Sequence, residues 1–216
     1  MSSWVYWPAG HVVRFLIWFF GGCRVEGLEN LPRTGAVIMV GNHHSLTDPP
    51  IVGTVTFHRI GRVVHIMAKA EINRWPVVGY LARHAAAIFV RRGEGDRAAQ
   101  RLSLQLLAAG EPLLIFPEGT RSHERVLREG KPGAALLAMR SGVPLLPVGI
   151  IGSQNLLVWN FLFRRRPRCV VRIGAPVQLP HRAEGRLDRD ELAAGTELMM
   201  RSIAALLPPE SRGRYG

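Results

Sequence analysis

The chain has 216 residues, 47% hydrophobic and 20% charged, enough to bury one α/β core unaided and too apolar for a disordered chain. Lys and Arg number 28 against 16 acids, for a net charge of +12, which favours polyanionic partners: nucleic acid, anionic headgroups or a phosphate-rich cofactor. Two cysteines, Cys23 and Cys169, make no disulfide framework, and the absence of a C-x-x-C pair removes the usual structural zinc site.

Residues 4–20, WVYWPAGHVVRFLIWFF, are apolar but interrupted by Pro8, His11 and Arg14. They fall short of the roughly 18–20 uninterrupted apolar residues a span needs, and the first ten residues lack the charge of a signal peptide. Trp4, Tyr6, Trp7 and Trp18 are residue types that settle at a membrane–water boundary. The expectation is a helix lying in the plane of the interface.

Beyond it, short apolar runs alternate with helical patterns. Strands are expected at Ala36–Val40, Val63–Ala68, Ala87–Arg91, Leu113–Phe116, Pro144–Ile150 and Cys169–Gly174. Helices are expected at Pro49–Phe57 with Asp48 as N-cap, Trp75–His84, Glu94–Ala109, Pro132–Ser141 and Asp188–Leu207, the last with Asp188 and Glu191 as a capping pair. Alternation of this kind implies a single α/β domain with a mixed, largely parallel sheet flanked by helices. Ligands of such sheets bind beyond the carboxyl ends of the strands, where three polar loops fall: Asn42–Asp48, Arg91–Arg92 and Pro117–Ser122.

The first loop places a histidine, His43, five residues before a carboxylate, Asp48. A carboxylate beside an imidazole fixes its tautomer and stabilises the imidazolium that forms when it takes a proton. On a continuous helix five residues turn about 500°, so the two meet only in a turn. A polar loop whose Asp48 caps a helix is the alternative. Arg91–Arg92 can hold a phosphate through guanidinium forks or end a strand in solvent. Pro117 and Gly119 enforce a tight turn that directs backbone N–H groups, the Thr120 hydroxyl and Arg121 at one spot, suited to phosphate. Pro144 and Pro147 interrupt an apolar strand, which suggests an edge strand or a bulge, lining an acyl groove or purely structural.

Taken together and in order, these segments resemble the glycerophospholipid acyltransferase family, especially bacterial 1-acyl-sn-glycerol-3-phosphate acyltransferases. Asn42, His43, Ser45 and Asp48 match N-H-x-S-x-x-D. Phe89 and Arg92 match G-x-x-F-I-x-R, with Val90 for Ile and Ala86 where Gly is expected. Residues 116–122 match F-P-E-G-T-R-S throughout, and 143–148 match V-P-x-x-P-V. The resemblance implies an O-acyltransferase with residues 25–216 as the catalytic domain and 1–24 as a membrane-associating segment. It implies His43 as general base and Asp48 as its orienting carboxylate. Arg92, Glu118, Gly119, Thr120 and Arg121 would hold the acceptor, and Lys69 would add positive charge at its phosphate.

No metal and no bound cofactor are implied. The donor would be acyl-CoA or acyl carrier protein, the acceptor a lysophospholipid, and the product phosphatidic acid for phospholipid synthesis. The apolar N-terminus then places the chain on the cytoplasmic face of the cell membrane, against an anionic surface. Phe161–Arg166, aromatic then cationic, would touch headgroups.

Three rivals remain. His43-His44-x-x-x-Asp48 also reads as H-H-x-x-x-D of chloramphenicol-acetyltransferase-like enzymes, with His44 as base, but Pro49 follows where Gly is usual and no D-F-G-W-G-like segment exists. A basic nucleic-acid binder would need a recognition motif that is absent. A non-catalytic lipid-binding relative would not need both His43 and Asp48.

Overall fold

The computed structural model describes residues 11–12, 14–15, 19, 22–84, 86–90, 97–122, 124–157, 169–185 and 187–216. Seven strands form one sheet: β1 Cys23–Glu26, β2 Ile38–Gly41, β3 His65–Lys69, β4 Ile88–Val90, β5 Leu113–Ile115, β6 Leu145–Ile151 and β7 Cys169–Ile173. Their spatial order is β1-β7-β6-β2-β5-β3-β4. Every neighbouring pair is parallel except β6 with β7. The expected single α/β domain with a mixed, largely parallel sheet is what the chain forms.

The helices after the N-terminal segment are α1 Asp48–Ile60, α2 Pro76–His84, α3 Arg97–Ala108, α4 Gly133–Ser141 and α5 Arg189–Ala204. They divide between the two faces of the sheet because neighbouring strand residues point to opposite sides. Ile38, Val40, Leu113, Ile115 and Leu145 join α3, α4 and α5 in one buried cluster. Val37, Met39, Leu114, Leu146 and Val148 join Ile51 and Val52 of α1 in the other. With both faces covered, the central strands are buried runs rather than alternating ones, and β2 and β5 are buried at every residue.

Three details depart from the sequence reading. Strand β1 went unexpected. Asp48 is the first residue of α1, with Thr47 at the N-cap position, because Asp48 is bonded elsewhere. Asp188 occupies the N-cap of α5 but makes no side-chain cap, and Glu191 instead pairs with Arg182 at 3.0 Å.

The proline-bearing strand is also not at an edge. β6 lies between β7 and β2. Pro147 is tolerated because it faces the last step of the β7 ladder: Gly174 N–H donates to its carbonyl at 2.9 Å, one step past the Val148–Ile173 pair. The missing return donor falls where pairing ends.

Candidate active site

The site grows from the carboxyl end of β2. Asn42, wholly buried, continues the ladder with its side chain: its Nδ2 donates to the Ile150 carbonyl at 2.8 Å, and Ile150 N–H donates to its Oδ1 at 2.7 Å. That amide clamp fixes where the chain leaves the sheet. The turn then folds around Asp48, whose side chain has no solvent exposure. Its Oδ2 accepts from His44 N–H and Ser45 N–H, both at 2.7 Å, and lies 2.9 Å from His43 Nδ1. Ser45 Oγ braces the far side, accepting from Thr47 N–H and Thr47 Oγ1.

His43 and Asp48 therefore meet in a turn. A carboxylate accepts only, so Nδ1 carries the hydrogen and Nε2 is left as the basic nitrogen. Phe116 stacks on the imidazole with ring centres 4.3 Å apart, which holds the ring plane. All three donors use Asp48 Oδ2, and Oδ1 is buried without a partner.

The Pro117–Ser122 turn docks against this loop. Gly119 takes the left-handed conformation, φ +65°, and its N–H donates to the Phe116 carbonyl at 2.9 Å. Ser122 N–H donates to the His43 carbonyl at 2.8 Å. Glu118 is buried, and its Oε1 accepts from His43 N–H at 2.8 Å while Oε2 accepts from Arg128 N–H at 3.1 Å. Burial pushes its pKa up to about 7 against the pull of those two donors. Thr120 and Arg121 are half-buried beside it.

Lys69 ends β3 and is the register partner of Val90, which ends β4. Arg92, two residues on, and Phe161–Arg166 lie outside the described residues. Ala86 adopts φ +48°, a conformation that suits glycine, the residue the family pattern has there. Sequence reasoning missed Asn42 as a clamp and Lys131 altogether. Lys131 N–H donates to the Pro117 carbonyl at 2.8 Å, and its side chain lies over Gly119, 3.2 Å from where a β-carbon would sit. Only the short spacing from the F-P-E-G-T-R-S block hinted at it.

Among the described residues no cluster of three or more His, Cys, Asp or Glu could hold a metal, and no helix is long and apolar enough to cross a membrane.

A buried carboxylate paired with an imidazole on the carboxyl rim of a largely parallel sheet is the constellation of a proton-transferring α/β enzyme. Residues 22–151 match the family model described as "Acyltransferase", and the chain belongs to that family. It is 34% identical over 194 residues to a lyso-ornithine lipid O-acyltransferase of Pseudomonas aeruginosa, an alignment covering 82% of this chain and 70% of that protein. It is 30% identical over 154 residues to a 1-acyl-sn-glycerol-3-phosphate acyltransferase of Borreliella burgdorferi, covering 70% of this chain and 60% of that one. The crystal structure of the 1-acyl-sn-glycerophosphate acyltransferase PlsC from Thermotoga maritima superposes with a TM-score of 0.64 at 28% identity, over 89% of this chain and 75% of that one.

Proposed function

We propose that the chain transfers a fatty acyl group from the thioester of acyl-CoA or acyl carrier protein to the free hydroxyl of 1-acyl-sn-glycerol 3-phosphate. The product is phosphatidic acid, made at the cytoplasmic face of the membrane by a peripheral or monotopic enzyme. The observation that carries the reading is the 2.9 Å contact of His43 Nδ1 with Asp48 Oδ2, which leaves Nε2 as base beside a phosphate-suited turn.

In this mechanism His43 Nε2 takes the proton of the acceptor hydroxyl. The oxygen attacks the thioester carbonyl, and the tetrahedral intermediate collapses with cleavage of the C–S bond. The departing thiolate recovers the proton from the imidazolium. Asp48 stabilises that imidazolium in between. Lys69, Arg92, Gly119, Thr120 and Arg121 hold the acceptor phosphate, and Glu118 joins the base-bearing loop to the phosphate-bearing turn. Arg92→Ala and Arg121→Ala should mainly raise the acceptor KM, since the phosphate does not change in the reaction.

A second acceptor is favoured by one observation, the 34% identity with the lyso-ornithine lipid enzyme over most of this chain. One experiment separates them. Labelled acyl-CoA and acyl carrier protein are offered with 1-acyl-sn-glycerol 3-phosphate, glycerol 3-phosphate and lyso-ornithine lipid, and the products are resolved. Phosphatidic acid as the main product is expected. Preferential labelling of lyso-ornithine lipid would overturn the acceptor, and no transfer to any lipid would overturn the enzyme.

A further inference from the structure

The loop from Arg121 to Lys131 carries four cations in a short stretch: Arg121, Arg125, Arg128 and Lys131. The phosphate wall of the proposed mechanism uses only the first. The other three are exposed, and among the described residues no ion pair engages any of them. Of the two acids between them, Glu129 is taken by Arg214 at 3.2 Å, leaving Glu124. Six other arginines of the described chain do find carboxylates, so an unpaired trio on one loop leaves cationic charge open to a ligand.

The loop is also held rigidly for a surface segment. Ser122 Oγ donates to the Val126 carbonyl at 2.7 Å, Leu127 N–H to the Ser211 carbonyl at 2.9 Å, and Arg128 N–H to Glu118. Lys131 N–H is tied to Pro117. Between these bonds Arg125 takes φ +61°, a conformation uncommon for a residue other than glycine. Both ends of the loop join the active-site turn, and the charge of Arg125 is close enough to His44 to disfavour its protonation.

We infer that Arg125, Arg128 and Lys131 form a docking site for the phosphates of an acyl-CoA donor, an inference that rests on the acyl-transfer reading above. The acceptor's single phosphate is matched by Arg121, Lys69 and Arg92. A coenzyme A thioester brings a pyrophosphate and a phosphomonoester at some distance from its reacting carbon, and pre-positioned guanidinium and ammonium groups bordering the base are what such a tail requires. The flexible pantetheine arm then reaches from this loop to His43.

The test compares donors that share the thioester and differ in phosphate: a long-chain acyl-CoA and the matching acyl-pantetheine, assayed in uncharged detergent micelles. In Arg125→Ala, Lys131→Ala and the triple alanine variant, the KM for acyl-CoA should rise, about tenfold or more in the triple. The KM for acyl-pantetheine and for the acceptor should stay put, and Lys131→Arg should retain most of the wild-type KM. Adenosine 3′,5′-bisphosphate should compete with acyl-CoA in the wild type and weaken in the variants, and added salt should erode the difference. Thermal unfolding checks that the loop still closes. An equal rise for acyl-pantetheine, an unchanged KM for acyl-CoA, or a wild type that uses acyl-CoA no better than acyl-pantetheine would overturn the site. Absence of transfer from every donor, acyl carrier protein included, would instead overturn the reading beneath it.

Discussion

Three donors converge on Asp48 Oδ2, and that convergence separates the two adjacent histidines. His43 offers Asp48 a ring nitrogen, while His44 offers only its backbone. The His44 ring lies 3.5 Å from Asn42 Nδ2, and burial lowers its pKa against the opposing pull of the Asp48 charge, which its ring does not contact by hydrogen bond. His43→Ala should therefore lose at least ~10²-fold in turnover, the usual worth of a positioned base, and His44→Ala far less. A dead His44→Ala beside an active His43→Ala would reverse the assignment and favour the H-H-x-x-x-D reading. Glu118 makes a prediction of opposite kind, about stability. Its folded pKa of about 7 lies above the ordinary 4.5, so between those values the folded state holds a proton that the unfolded state has lost. Unfolding free energy should fall as pH rises through that window, by roughly 1–3 kcal/mol, and level off above it. Glu118→Gln removes the titration and leaves one of the two N–H donors facing an amide N–H. Urea unfolding at pH 5 and pH 8 should show a steeper fall in the wild type than in the variant. Parallel pH dependences would place the proton elsewhere.

At the scale of elements, the active-site loop is an extension of the sheet. Asn42 replaces the next backbone step of β2, and removing it orphans a buried N–H and a buried C=O of Ile150. Asn42→Ala should cost about 2–4 kcal/mol, because each buried group left unsatisfied costs roughly 1–3. Ser122→Ala, which loses one side-chain bond to Val126 and keeps its backbone bond to His43, should cost about 1 kcal/mol. Denaturant midpoints rank the two, and a larger loss in Ser122→Ala would contradict the clamp. The same geometry explains what the sequence disclosed. The loops were readable because their chemistry is local: five residues join His43 to Asp48, and Pro117 and Gly119 shape one turn. The buried strands β2 and β5 and the half-buried β3 were readable as apolar runs. β1, Cys-Arg-Val-Glu, was not, since its four residues have little apolar signal and form a strand only because β7 pairs with them. Pro147 pointed to an edge, and only the end of the β7 ladder explains its central place. Glu118 read as a substrate ligand because its motif lies at the site, whereas its bonds to His43 and Arg128 depend on residues 75 and 10 positions away.

For the molecule as a whole, one helix links the chemistry to His11. α1 starts at Asp48 and ends beside His58, whose ring meets that of His11 edge-on at 5.0 Å. Thirteen residues of α-helix span about 20 Å, so His11 lies against the end of α1 remote from the base. Arg14 with Cys23, Val25, Leu28, Thr54, Val55, His58 and Arg59 lines an apolar cavity of about 280 Å³ there. Val12 and Phe15, both 57% exposed, and Phe19, 42% exposed, recur at the spacing of one helical face, with Arg14 next to Phe15 in the sequence. Such a face binds a membrane surface by burying apolar area and attracting anionic lipid. Deleting residues 1–20 should shift the protein toward the soluble fraction. The fold should survive, because the α1-side core is built from residues beginning at Cys23. Activity on micellar acceptor should partly persist, and activity on acceptor in anionic vesicles should fall further. Salt should release part of the full-length protein, since cationic attraction is screened, which it would not do to a helix crossing the bilayer. Flotation with liposomes of graded anionic content, run on both forms, decides it. Equal flotation would remove the N-terminal segment as the anchor and turn attention to Phe161–Arg166.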